Sequence, residues 1–164
     1  MNYWAIVNLL FLLYNADYSV RQQLGKSGFV EIGPTKEWMF LPGEKRDIVL
    51  VFKIKDGYHI QADQVLEDHL IPTSLSIKTP EEMVVSSPVF PDPFPFHLKN
   101  VNQKMEVFHK ELEVRIPLAV SEGTTHGKYL INGNLHYQAC DSLKCYFPRD
   151  FPFNINIEVV KVNN

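Results

Sequence analysis

The apolar residues of this chain recur with the two-residue period of strands, and no segment carries a convincing 3.6-residue stripe. Residues 47–55, D-I-V-L-V-F-K-I-K, are β-branched and apolar and end in the turn signal Lys55-Asp56-Gly57. A short strand is expected to follow at 58–61, and another around Leu75 and Ile77. From 112 to 120 the alternation is clean: Leu112, Val114, Ile116, Leu118 and Val120 share one face, with Glu113 and Arg115 on the other. Pro117 has no N–H, which predicts a sheet edge or a local irregularity there. Residues 128–140 read as one long strand with a bulge at Gly133. In the last strand Phe153, Ile155, Ile157 and Val159 alternate with Asn154, Asn156 and Glu158. Residues 61–70 are expected to form one helical turn at most. About seven or eight strands joined by turns, without helices between them, predict an all-β antiparallel sandwich.

A chain of 164 residues is long enough to bury one substantial core. Its net charge of -3 comes from interspersed acids and bases with no basic stripe, so nucleic acid is not an expected partner. Residues 4–14, W-A-I-V-N-L-L-F-L-L-Y, are apolar but too short to span a bilayer, which takes about 20 residues. They match the hydrophobic region of a secretory signal in length, yet no Lys or Arg precedes them and 14–16 make a poor cleavage site. Residues 1–25 are therefore set apart as a signal remnant or a docked extension, and 26–164 as the sandwich domain.

Two features carry candidate chemistry. Residues 86–98, S-S-P-V-F-P-D-P-F-P-F-H-L, hold four prolines and three phenylalanines, Phe90, Phe94 and Phe96. That composition predicts a stiff loop rather than a strand, either packed on its own sandwich or lying as a lid over a site. The two cysteines, Cys140 and Cys145, stand together in Y-Q-A-C-D-S-L-K-C-Y-F-P. A disulfide there would close a very short loop and contribute roughly 2 kcal/mol as a staple, against roughly 4.7 for a 100-residue loop. A metal site would need a third ligand. His136, on the same strand, lies about 13 Å from Cys140 between Cα atoms if the strand is unbroken. Redox exchange needs a reachable sulfur and a second sulfur to resolve the mixed disulfide. Lys144 would favour a thiolate at Cys145, and Asp141 would oppose one at Cys140. Staple, metal clip and redox pair all remain open on spacing alone.

Three stretches stand out together: F-K-I-K-D-G-Y-H-I at 52–60, V-F-H-K-E-L-E-V-R-I-P-L at 107–118 and, most specifically, L-H-Y-Q-A-C-D-S-L-K-C-Y-F-P at 135–148. They resemble one family, the N-terminal domain of the periplasmic thiol:disulfide interchange protein DsbD. The resemblance covers roughly 28–160. It implies an immunoglobulin-like β-sandwich with a redox-active Cys140–Cys145 pair and no cofactor. Cys145 would form the mixed disulfide and Cys140 would resolve it. It also implies a periplasmic protein that takes electrons from a thioredoxin-like donor domain fed by a membrane-embedded system. It would pass them to disulfide isomerases or cytochrome c maturation thioredoxins, which makes a thiol:disulfide oxidoreductase the expected activity. The family has an aromatic cap over the pair, a part that 86–98 would play here through Phe94 or Phe96.

Departures accompany the resemblance. The cysteines are separated by four residues where some members have five, and the cap segment is unusually rich in proline. The family's membrane conduit and C-terminal thioredoxin-like domain are absent from the sequence, so an excised domain and a stand-alone protein are both expected possibilities. Tyr58 and His59 are expected to line the site by the same analogy, against packing and solvation as plain alternatives. Tyr137 and Tyr146 flank the cysteines as shields or as strand packing. Asp141 is expected to assist proton transfer or simply to cap backbone N–H groups. The competing class is a secreted immunoglobulin-like binding or scaffold module with a local structural disulfide. A metal chaperone is the third reading.

Overall fold

A computed structural model of the chain describes residues 26–34, 36–99 and 104–161. Residues 1–25, and with them the apolar segment 4–14, lie outside the described residues. The strands are β1 (Lys26–Ser27), β2 (Val30–Ile32), β3 (Trp38–Phe40), β4 (Lys45–Ile54), β5 (His59–Gln61), β6 (Ser74–Lys78) and β7 (Met83–Val85). They continue with β8 (Phe94–His97), β9 (Lys104–His109), β10 (Glu111–Val120), β11 (Gly127–Tyr137), β12 (Ala139–Cys140) and β13 (Arg149–Val159). Among the described residues there is no helix, so the helical turn expected within 61–70 is absent; a Leu70 N–H to Glu67 C=O bond of 3.0 Å closes a turn there instead.

The fold is an immunoglobulin-like β-sandwich. One sheet has the order β1-β2-β4-β10-β7 and the other β3-β13-β11-β6. Register explains the core. In the β4–β10 pair Ile48 faces Ile116, Leu50 faces Val114 and Phe52 faces Leu112. In the second sheet Ile131 faces Ile155 and Leu135 faces Phe151. All ten are buried, and the two inner faces interlock into one core with Phe52 edge-on to Phe151 and Phe153. Fully burying a side chain of this kind stabilises by about 1.5–3 kcal/mol, and a one-residue slip would turn every one of them to water.

A third sheet, β12-β5-β9-β8, sits at one end and grows out of the sandwich strands. β4 turns through Lys55–Tyr58 into β5, closed by a Tyr58 N–H to Lys55 C=O bond of 3.0 Å. β9 becomes β10 through Lys110 alone, which takes the left-handed conformation at φ 62°. β11 becomes β12 through Gln138. The single strand expected over 128–140 is therefore two, on different sheets.

Three other expectations change. Gly133 is no bulge: it pairs in register with Phe153 on one side and Ile77 on the other. Pro117 is not at a sheet edge, because β10 lies between β4 and β7, and of the two expectations it is the local irregularity that holds. Its carbonyl accepts from Ser86 N–H at 3.0 Å, so the missing N–H falls on the side where β7 has ended at Val85 and pairing resumes only at the Val89–Arg115 bridge. The segment 86–98 is partly strand, since Phe94–His97 forms β8 on the edge of the third sheet. An edge strand needs ladder donors on one side only, which is how Pro95 is accommodated.

A Cβ on Gly133 would enter the van der Waals envelope of the Phe153 ring. Gly133→Ala is expected to lower stability by about 1–3 kcal/mol through overpacking. Urea unfolding should show a lower midpoint at unchanged slope, with much of the loss recovered in a Gly133→Ala/Phe153→Leu double variant. An unchanged midpoint in the single variant would refute the packing argument.

Candidate redox site

The third sheet presents the cysteines. Cys140 ends β12, pairs with His59 of β5 and is fully buried. The chain then folds back over 141–144, and Cys145 returns beside Cys140 as an antiparallel bridge. The two are joined as a disulfide, with Cα atoms 3.9 Å apart. Their exposures differ: Cys145 is partly exposed and faces a depression of about 330 Å³ lined by Gln138, Lys144, Tyr146, Phe147 and Pro148.

Bonds that do not involve sulfur set the loop. Asp141 N–H donates to Lys144 C=O at 2.9 Å, and Tyr146 N–H to Ala139 C=O at 2.8 Å. The Asp141 carboxylate accepts from the N–H groups of Leu143 (2.7 Å) and Lys144 (2.9 Å) and from the Tyr146 hydroxyl (2.7 Å). The Tyr146 hydroxyl first, and the two N–H groups next, lower the Asp141 pKa. In return the hydrogen bond to Asp141 raises the Tyr146 pKa to about 12. The Asp thus caps the tight loop as an anion. Gln138 fastens the base: its Oε1 accepts from Ile71 N–H at 3.0 Å and its Nε2 donates to Tyr146 C=O at 3.2 Å.

Aromatic rings flank the loop. Tyr58, Tyr146 and Phe29 form a cluster with centroids 4.7–6.0 Å apart, and the Arg149 guanidinium lies 4.5 Å from the Phe29 centroid. Phe96 of β8 lies 3.9 Å from the His59 ring. Phe96 and Cys145 both pack against one buried cluster, Leu70, Leu98, Met105 and Val107. The β8–β9 hairpin is also tied to the cysteine loop by a Lys99 N–H to Ser142 C=O bond of 3.1 Å. Phe94 is half exposed against His109 at 4.4 Å, and Phe90 stacks on Phe108 at the main core. Tyr137 is fully buried in that core. His136 bonds Asp150 at 3.0 Å on a different sheet from Cys140.

Sequence reasoning missed Gln61, although it lies two residues from His59 and so on the same face of β5. Its Nε2 is 3.2 Å from Cys140 Sγ, 3.4 Å from Met105 Sδ and 3.8 Å from Cys145 Sγ. Met105, Leu70 and Phe29 were likewise not anticipated; being apolar, they carry no local mark of a site.

The profile of the family described as "Thiol:disulfide interchange protein DsbD, N-terminal" matches residues 30–155. No curated protein matches the chain. Among solved structures, the N-terminal domain of DsbD from Neisseria meningitidis, in its reduced form, is 22% identical over 79% of this chain and 86% of that one, with a TM-score of 0.46. The N-terminal periplasmic domain of ScsB from Proteus mirabilis is 15% identical over 79% of this chain and 47% of that one, with a TM-score of 0.50. The second likeness is one of fold, and this chain spans about half the length of that protein.

The His59 imidazole is buried, and its Nε2 has no hydrogen-bond partner among the described residues. Burial lowers its pKa from 6.5 to about 4; the Asp141 carboxylate opposes the shift and His109 adds to it. The unfolded chain binds a proton near 6.5 that the folded protein refuses until about 4. Stability from neutral His59 is thus fully present above the higher value and is lost as pH falls toward the lower one. A His59→Gln variant is expected to lose less stability than the wild type between about pH 7 and about pH 4.5. Urea midpoints at the two pH values check this, and equal losses in both proteins would discount His59.

Proposed function

The chain belongs to the DsbD N-terminal domain family, and on that premise we propose that residues 26–164 are a periplasmic thiol–disulfide exchange domain working through Cys140 and Cys145. The observation that carries the reading is the unequal exposure of two bonded cysteines: Cys140 is fully buried and Cys145 is partly open. Attack by a partner thiolate is thereby directed to Cys145 Sγ, and Cys140 is the leaving sulfur and later the resolving one. The periplasmic setting is supported by the ScsB domain of similar fold, which is described as periplasmic.

In this reading a thioredoxin-like donor, supplied by a membrane-embedded system, reduces the pair. The domain then hands two electrons to a thioredoxin-like acceptor, an isomerase or a cytochrome c maturation protein. Phe147, 91% exposed and two residues from Cys145, offers an apolar contact to either. Phe96 serves as the cap, because it shares a packing cluster with Cys145 and its hairpin is bonded to the cysteine loop. Asp141 is bound by three donors, which supports a capping role over proton transfer.

Equilibration in defined thiol/disulfide buffers is expected to give a reduction potential between about -180 and -270 mV. A value below about -300 mV would mark a structural disulfide and favour the binding module. Cys145→Ser is expected to abolish exchange with a thioredoxin-like donor, whereas Cys140→Ser should accumulate a mixed disulfide through Cys145. Trapping through Cys140 instead would reverse the assignment.

Removal of the cap ring in Phe96→Ala should raise the rate at which glutathione opens the disulfide by several-fold or more. Stopped-flow or quench sampling of free thiols reads that rate, and an unchanged value would remove Phe96 from the gate.

A further inference from the structure

Gln61 is a fully buried amide whose carbonyl oxygen has no hydrogen-bond partner among the described residues. An unpaired buried acceptor lowers stability, and an apolar residue of the same size would spare the fold that loss. The cost points to a role outside packing. The orientation of the amide is fixed by chemistry. Turned over, Oε1 would face Cys140, Cys145 and Met105, three sulfurs that carry no proton in the disulfide state. With Nε2 toward them, its N–H groups meet lone pairs.

We propose that Gln61 is a catalytic residue of the exchange reaction, whose amide N–H holds the negative charge that collects on Cys140 Sγ as the disulfide opens. This rests on the exchange reading above. A disulfide sulfur is a weak acceptor and a thiolate a strong one, so a donor 3.2 Å from Cys140 Sγ gains most when that sulfur leaves. Stabilisation that grows along the reaction lowers the barrier instead of merely binding the starting state.

The step balances as follows. A dithiol partner's thiolate attacks Cys145 Sγ; the partner S–Cys145 bond forms, the Cys145–Cys140 bond breaks, and the electron pair departs on Cys140 Sγ. The partner's second thiolate then attacks its own sulfur in the mixed disulfide and releases Cys145. The partner ends as a disulfide and this domain as a dithiol, its protons taken from water.

The surroundings make such a donor necessary. Cys140 is fully buried, which by itself disfavours a thiolate. Asp141, next in the chain, is held as an anion and repels one. Across the strand pair His59 stays neutral, with His109 beyond it on β9. The Lys144 ammonium lies 5.1 Å from the centroid of the Tyr146 ring.

Thiolate ultraviolet absorbance in a Cys145→Ser protein titrates Cys140 alone. Gln61→Leu is expected to raise its pKa by about one unit or more, and in the two-cysteine protein to slow reduction by dithiothreitol about tenfold or more. Gln61→Met keeps the length of the side chain but removes the donor, so the thiol pKa should be lower with Gln than with either Leu or Met, a ranking that a packing defect does not produce. Urea midpoints confirm that each variant is folded. Equal Cys140 pKa values with and without the Gln61→Leu substitution, in folded proteins and with exchange intact, would overturn the proposal. The expected ranking in a protein that never exchanges with a dithiol would uphold the Gln61–Cys140 contact and overturn the exchange reading instead.

Discussion

A strand can belong to one sheet only until its backbone bends, and three strands of this sandwich bend at the same end. The turn at Lys55–Tyr58, the left-handed Lys110 and the single residue Gln138 release β4, β10 and β11 from the two main sheets. Beyond those points the chain re-pairs as β5, β9 and β12, and on that small sheet the sulfur pair stands. The site therefore inherits the rigidity of the core without being inside it. The long apolar registers of β4–β10 and β11–β13 fix where the bends fall, and the bends fix which side chains meet the cysteines.

The meeting is selective. One side of the loop is aromatic, with Tyr58, Tyr146 and Phe29 around it, and another is aliphatic and sulfur-rich, with Leu70, Leu98, Met105 and Val107. Into this apolar frame the chain places two polar groups at the cost of unpaired atoms, His59 Nε2 and Gln61 Oε1. Both belong to β5 and both face Cys140. Buried polar atoms left without partners weaken a fold, and here two of them lie on one side of one disulfide.

Much of this was legible in the sequence. The alternation in 112–120 and 153–159 specified the inward faces of β10 and β13, and the Tyr-Gln-x-Cys stretch pointed to the loop. Local pattern failed where a distant partner decides the outcome. Residues 128–140 look continuous, yet Gln138 divides them because its neighbours pair with different strands. Pro95 argued for a loop, and an edge position admitted it to a strand. Gln61 reads as an ordinary polar residue at a strand end; only the register of β5 against β12 brings it to a cysteine 79 positions away.

The hydrogen bonds of the cysteine loop have a further consequence. Because Asp141, Tyr146 and Gln138 hold the turn without help from sulfur, breaking the S–S bond would not let its two ends drift apart. A mixed disulfide at Cys145 would then face an internal rival already in position, at an effective concentration that no free thiol in solution reaches. Its lifetime would be short unless the partner's own contacts hold Cys140 away. On the exchange reading, such a domain would favour brief encounters over long-lived covalent complexes.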